Sequence, residues 1–231
     1  MALDGPGSSG KSSVGAAAAL RLGYRFCDTG LLYRAATWLA LRRRVRADDP
    51  DALVALVPEI ELVPDENGRL AHVSVDGVDV TADVHTPRVD DAVSAVSGVA
   101  ELRAALLERQ RALAAEPGGI VMAGRDIGTV VLPEADLKIF LDASVEERAR
   151  RRAEERGISP DSQEGRFILA QLQRRDKLDS TRAVAPLRPA ADAVHIVTDG
   201  NTLEQTVAAV VAAVRAAAAA SSAALAAGEA R

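Results

Sequence analysis

The run Gly5, Pro6, Gly7, Ser8, Ser9, Gly10, Lys11, Ser12 constrains this chain more than any other feature. It satisfies the pattern G-x-x-x-x-G-K-[ST]. Glycines let the backbone curl until successive N–H groups point inward at an anion, and a following helix turns its positive end to the same place. Lysine at Lys11 then suits the β- and γ-phosphates of a nucleotide, and the Ser12 hydroxyl suits a magnesium ion. The flanks fit: Met1 to Asp4 reads as a short strand and Lys11 to Leu22 as an alanine-rich helix. Strand, glycine loop and helix together imply an α/β fold that binds a nucleoside triphosphate. The pattern alone names no reaction, because the same loop serves switches, motors and kinases. No base-reading N-K-x-D of the GTP-dependent kind occurs in the chain.

Composition narrows the classes. Hydrophobic residues make up 48% of 231 and aromatics only 3%, so the expected core is aliphatic and that of a globular chain. No uninterrupted apolar run approaches a bilayer span, and no basic segment followed by an apolar one opens the chain. The expectation is a cytoplasmic protein with no membrane partner. A net charge of −5 argues against nucleic acid as a partner. The single cysteine, Cys27, excludes an internal disulfide and reads as a buried structural thiol. No long exposed apolar stripe asks for a second subunit, so a monomer is expected.

Strand and helix patterns alternate along the rest of the chain. Residues 24–28 read as a strand, Gly30 to Arg44 as an amphipathic helix, Val89 to Ala115 as helical, Gly119 to Ala123 and Leu137 to Leu141 as strands. Val145 to Arg156 is a charged helix, 157–165 a polar mobile tip, Arg166 to Asp176 a second helix, Ala193 to Val197 a last buried strand, and Leu203 onward a closing helix. That order predicts a parallel sheet covered by helices on both faces. Two excursions leave it. Ile60 to Val63, Leu70 to Val75 and Val78 to Val80 are β-prone segments separated by Asn67-Gly68 and Asp76-Gly77, which predicts a small antiparallel meander inserted apart from the main sheet. The arginine-rich helical pair is the other. The tail after Arg215 is nearly all alanine and serine, and either extends the last helix or frays.

A second polar constellation accompanies the loop. Thr29, Gly30 and Arg34 lie at a helix start after the second strand, where a phosphate site or simple capping by Asp28 or Thr29 both fit. Gly124, Arg125, Asp126, Gly128 and Thr129 follow a candidate central strand, the end at which open α/β sheets bind ligands. Arg148 and Arg151 share a helix face, spaced for a phosphate clamp or for ordinary surface ion pairs. Charge gathers again at Arg174, Arg175, Asp179 and Arg182.

These strings carry a resemblance. D-G-P-G-S-S-G-K-S-S, D-T-G-L-L-Y-R, A-G-R-D-I-G-T-V-V-L-P, K-I-F-L-D-A-S-V-E-E-R-A-R-R-R and R-A-V-A-P-L-R-P-A-A-D-A occur in this order. Together they resemble the bacterial cytidylate kinases over essentially the whole chain. The resemblance implies a P-loop three-layer core with a parallel sheet flanked by helices, plus a monophosphate-binding lobe with a small antiparallel sheet and a helical lid. It implies one domain over 1–231, with core 1–27, 99–145 and 183–231, monophosphate lobe 28–98 and lid 146–182. It further implies transfer of the γ-phosphoryl group of ATP to CMP or dCMP with Mg²⁺. Kinases of another acceptor (UMP, AMP, shikimate) and a non-catalytic nucleotide switch are the alternatives.

By the same resemblance, Gly5 to Ser13 hold ATP, with Ser12 on the metal. Arg34 and Arg125 grip the CMP phosphate, with Thr29 beside them. Asp126 and Arg103 read the cytosine edge, and Ser94 stands near. Arg175 and Asp179 meet the sugar, and Arg182 the phosphate or base. Lys11, Arg125, Arg148 and Arg151 are the catalytic set, the last two closing from the lid. Thr29 stands where many relatives carry serine, and Leu178 where some carry arginine.

Overall fold

The computed structural model of the chain describes residues 1–229. Its elements run β1 (Ala2–Asp4), α1 (Lys11–Leu22), β2 (Arg25–Asp28), α2 (Gly30–Arg43), α3 (Pro50–Val54), β3 (Ile60–Pro64), β4 (Arg69–Val75) and β5 (Val78–Asp79). They continue with α4 (Pro87–Ser97), α5 (Ala100–Ala115), β6 (Ile120–Gly124), β7 (Lys138–Asp142), α6 (Val145–Glu155), α7 (Gln163–Thr181), β8 (Val194–Val197) and α8 (Leu203–Glu229). The strands form one sheet in the order β3-β4-β2-β6-β1-β7-β8, with β5 beside β4. The pairs among β2, β6, β1, β7 and β8 are all parallel.

Period-two alternation sorts the core. Leu3, Phe26, Val121, Ile139 and Leu141 point to one face, where α1 and the Val207, Val210 and Val211 stripe of α8 cover them. Ala2, Cys27, Ile120 and Met122 point to the other face, against Ile127 and Val131. The expectation of a buried Cys27 holds: no part of it reaches solvent, and burial pushes the thiol up to about 12. Leu203–Ala220 of α8 is long and apolar enough to cross a bilayer by length and composition alone. Its valines at 207, 210, 211 and 214 are nonetheless buried in the fold at helical spacing.

Four sequence expectations need correction. The meander is not apart from the main sheet: Arg69 and Leu70 of β4 pair in parallel with Phe26 and Cys27 of β2, so the antiparallel ribbon prolongs the parallel sheet at its edge. Helicity from Val89 to Ala115 is interrupted, because Gly98 closes α4 and Val99 is extended before α5 begins. The second helix of the charged pair is longer than expected. The Ser162 side chain accepts from the Gly165 amide and caps α7, which draws 163–165 out of the tip. The last strand is not buried: β8 is an edge strand paired only with β7, leaving Val194 and Val197 42% and 62% exposed. The tail after Arg215 extends α8 as far as Glu229. Residues 230 and 231 lie outside the described residues.

Candidate active site

Three strand ends set the position of the site. In the β2-β6-β1 order, Asp4 pairs with Gly124 and Asp28 with Ala123, so the loops after all three strands open at one edge of the sheet. Gly5 leaves β1 so close to β7 that a Cβ would lie 2.0 Å from the Leu141 carbonyl oxygen. Gly10 adopts φ 91° as it caps α1, a left-handed conformation that favours glycine. Between them the chain wraps around Lys11, whose Nζ donates to the Pro6 carbonyl at 2.6 Å and to Ser9 Oγ at 3.3 Å. Burial, with Arg125 nearby, holds the Lys11 ammonium well below its ordinary value. Ser12 Oγ donates to Asp28 Oδ2 at 2.5 Å.

Facing the loop is a wall of arginines. Lys11, Ser12, Thr29, Arg34, Arg103, Arg125, Asp126, Arg151, Arg175, Asp179 and Arg182 all line one cavity of about 310 Å³. Gly7 lies directly beneath the wall: a Cβ there would sit 3.5 Å from Arg125 Nη2 and 3.9 Å from the Arg175 Cδ. Arg125 Nε donates to Asp179 Oδ2 at 3.3 Å, and Ser94 Oγ donates to Asp179 Oδ1 at 3.1 Å. Arg34 donates through Nη1 to the Val84 carbonyl at 2.9 Å and through Nη2 to Asp90 at 2.6 Å.

Arg103 and Asp126 form a second pair that lines the same cavity. Arg103 Nη2 meets Asp126 Oδ2 at 2.5 Å, while Nη1 donates to Ser97 O at 3.0 Å and the guanidinium lies over the Tyr33 ring at 5.0 Å. Asp126 Oδ1 faces Arg182 Nη2 at 3.8 Å, beyond hydrogen-bond range. Arg175 Nε and Arg182 Nη2 are buried with no hydrogen-bond partner. Burial and the neighbouring Arg125 and Arg34 push Arg175 down to about 10. A cluster of guanidiniums that repel one another and leave buried N–H groups unmet favours an anion.

The remaining expected residues lie around this cavity in different ways. Arg148 is 4% exposed and braces the loop from behind, with Nη1 on Gly7 O at 3.1 Å, Nε on Ala143 O at 2.9 Å and Nη2 on Asp176 at 2.6 Å. Arg151 reaches the cavity while bonded to Thr198 O at 2.6 Å and to Glu147 at 2.8 Å. Ser94 lines a neighbouring cavity of about 520 Å³ between α4 and α7. Thr29 Oγ1 donates to Ala123 O at 2.9 Å, which ties the start of α2 to β6.

The family model described as cytidylate kinase matches residues 1–216. The chain belongs to the cytidylate kinase family. Relatives named cytidylate kinase agree. The Nocardia farcinica protein is 48% identical over 207 residues, covering 90% of this chain and 89% of its own length. The Enterococcus faecalis protein is 48% identical over 215 residues, covering 91% and 92%. A Geobacillus protein is 47% identical over 212 residues, covering 90% and 92%.

Within this kinase fold the motifs did not disclose two carboxylates, the buried Asp4 and the partly buried Asp90. Asp4 accepts from the Ile127 and Gly128 amides at 2.8 and 2.7 Å and so holds the turn that carries Asp126. Burial, opposed by those two amides, raises it to about 6. A carboxylate directly before the glycine loop was the available signal. Asp90 meets arginines from three helices, and the sequence gives no local sign of it.

Proposed function

We propose that the protein transfers the γ-phosphoryl group of ATP to CMP or dCMP, giving ADP and CDP or dCDP. One observation carries the reading: the lysine of the glycine loop and the arginine wall face the same cavity. In that reading the amides of Gly5 to Ser13 receive the triphosphate of ATP. Lys11 turns from the Pro6 carbonyl to the β- and γ-phosphates, whose negative charge favours its ammonium form. Arg34 and Arg125 hold the acceptor phosphate, one of whose oxygens attacks the γ-phosphorus in line. The bond from that phosphorus to the bridging oxygen breaks, and ADP leaves with the electron pair. Phosphoryl transfer of this kind needs alignment and charge neutralisation more than a strong base.

The Ser12 hydroxyl and the Asp28 carboxylate, in contact at the mouth of the loop, are the hard oxygen donors that Mg²⁺ prefers. A bound Mg²⁺ would neutralise charge on the phosphate oxygens. Ser12 would hold it directly, with Asp28 orienting the hydroxyl. No cluster of three or more acidic, His or Cys side chains suited to a metal occurs among the described residues, which fits an ion held chiefly by phosphates.

On the acceptor side, Asp126 Oδ1 would accept from the cytosine N4 amino group, with Arg103 holding the carboxylate and donating to O2 or N3. Arg175 and Asp179 meet the sugar, with Ser94 holding Asp179 from the neighbouring cavity, and Arg182 brings its unmet Nη2 to the phosphate or base. Arg148 steadies the loop from the lid, and Arg151 completes the site. Closure of the monophosphate lobe (28–98) and the lid (146–182) over core 1–27, 99–145 and 183–231 would exclude water and so suppress ATP hydrolysis. ADP release from ATP tests the reading, measured alone and with CMP, dCMP, UMP, AMP or shikimate. ADP should appear with CMP and dCMP and fall by at least about a thousandfold in Lys11→Ala. ATP turnover indifferent to every acceptor would refute it.

A further inference from the structure

Asp90 stands at the centre of an arginine cluster to which the proposed reaction assigns it no part. Its carboxylate lies 2.6 Å from Arg34 of α2, 3.2 Å from Arg152 and 2.7 Å from Arg156 of α6, and 3.6 Å from Arg175 of α7. Burial alone would raise this carboxyl, but Arg34 and Arg152 beside it hold it below the usual carboxylate range. The two cavities show which side it occupies. Arg34, Arg152 and Arg175 line the cavity shared with Lys11, and Asp90 does not. Asp90 lines the neighbouring cavity with Arg152, Arg156 and Arg175. The carboxylate therefore backs the arginine wall and does not occupy the place of a substrate phosphate.

That position has a mechanical consequence. Arg34 is held at two points, Val84 O and Asp90, which fixes the plane of its guanidinium and the direction of its remaining N–H groups. Arg152, Arg156 and Arg175 belong to the helical pair α6–α7, whose own small core is Ala149, Ala153, Ile168 and Leu172. Contacts on the same side of α4 reinforce the docking: Gln171 donates to Asp91 at 2.5 Å, and Ser94 donates to Asp179. Without a central anion the four guanidiniums would repel one another.

We propose that Asp90 is a positioning residue that assembles the acceptor-phosphate site. It draws arginines of the α6–α7 pair onto α4 and aims Arg34 into the cavity, so docking of that pair and readiness for the acceptor are one event. The inference rests on the acceptor-site reading given above.

The experiment compares Asp90→Asn, Asp90→Glu, Asp91→Asn and Arg34→Ala with the unaltered protein, using CMP and ATP titrations and circular dichroism to verify folding. In Asp90→Asn, KM for CMP should rise about tenfold or more while KM for ATP changes less than about twofold. Asp90→Glu keeps the charge and should recover part of the loss. Asp91→Asn removes a charge from the same helix but keeps an oxygen for Gln171, and should raise KM for CMP less than Asp90→Asn does. An unchanged KM for CMP in folded Asp90→Asn overturns the inference. So does a lower one, which would mean that Asp90 competes with substrate, and so does an equal rise in both constants. If Arg34→Ala also leaves KM for CMP unchanged, the acceptor-site reading itself fails. A rise in Arg34→Ala alone confines the failure to Asp90.

Discussion

Replacing Asp126 by asparagine changes one charge at the point where the base would be read. In the unaltered protein Oδ2 accepts from Arg103, and Oδ1 faces the cavity near Arg182. Asparagine can keep its amide oxygen on Arg103, which turns an NH₂ group toward the base. A donor then meets the N4 donor of cytosine, whereas the O4 acceptor of uracil becomes a partner. Losing one charge-assisted hydrogen bond costs about 2 kcal/mol, or about 30-fold in kcat/KM for CMP. UMP should hold steady or improve, so the CMP/UMP ratio falls by at least that factor. Stability falls as well, because the buried Arg103 then meets a neutral amide oxygen where it had a carboxylate. The lower end of the range for a broken buried pair, about 3 kcal/mol, corresponds to a drop of about 6 to 12 °C in Tm for a chain of this size. The assay is coupled ADP release at saturating ATP, run well below that Tm, with CMP and UMP titrated separately. A ratio unchanged within about twofold would refute base reading by Asp126, however large the loss of stability.

Two further outcomes follow from buried groups. Asp4 is raised from 3.8 to about 6, so its contribution to stability is fully present below the unfolded value and is lost as pH rises through the folded one. The stability of the unaltered protein minus that of Asp4→Asn should therefore decline by about 3 kcal/mol between roughly pH 3 and 7 in urea titrations, and a flat difference would contradict it. Cys27, fully buried and raised to about 12, should be inert to a thiol-specific disulfide reagent at pH 8 in the folded protein and react stoichiometrically in denaturant. Fast labelling without denaturant would show that the β2 face opens readily.

The parts legible in the sequence are those whose chemistry is local. The glycine loop declares itself because curl, lysine and helix start are consecutive, and Arg125 and Asp126 declare themselves by following an apolar strand. The edge pairing of Arg69 and Leu70 with β2 was not legible, since turn residues specify a hairpin but not which strand it lies against. The burial of the last strand was misjudged because Val194 to Val197 is apolar whether it lies inside the sheet or at its margin. Asp90 was invisible for a related reason. Its partners are 56, 62 and 66 residues away at Arg34, Arg152 and Arg156, and two adjacent acids in a helix carry no spacing that points to them.

The join at Arg69 and Leu70 fastens the antiparallel ribbon at a single corner. Past those two residues β4 hydrogen-bonds only within the ribbon, whose inner face (Ile60, Val73 and Val75) is buried against Leu32, Ala36 and Leu39 of α2. The corner abuts Cys27, one residue before Asp28 and Thr29, which line the cavity. Any displacement of the ribbon would thereby reach both α2 and the residues beside Ser12.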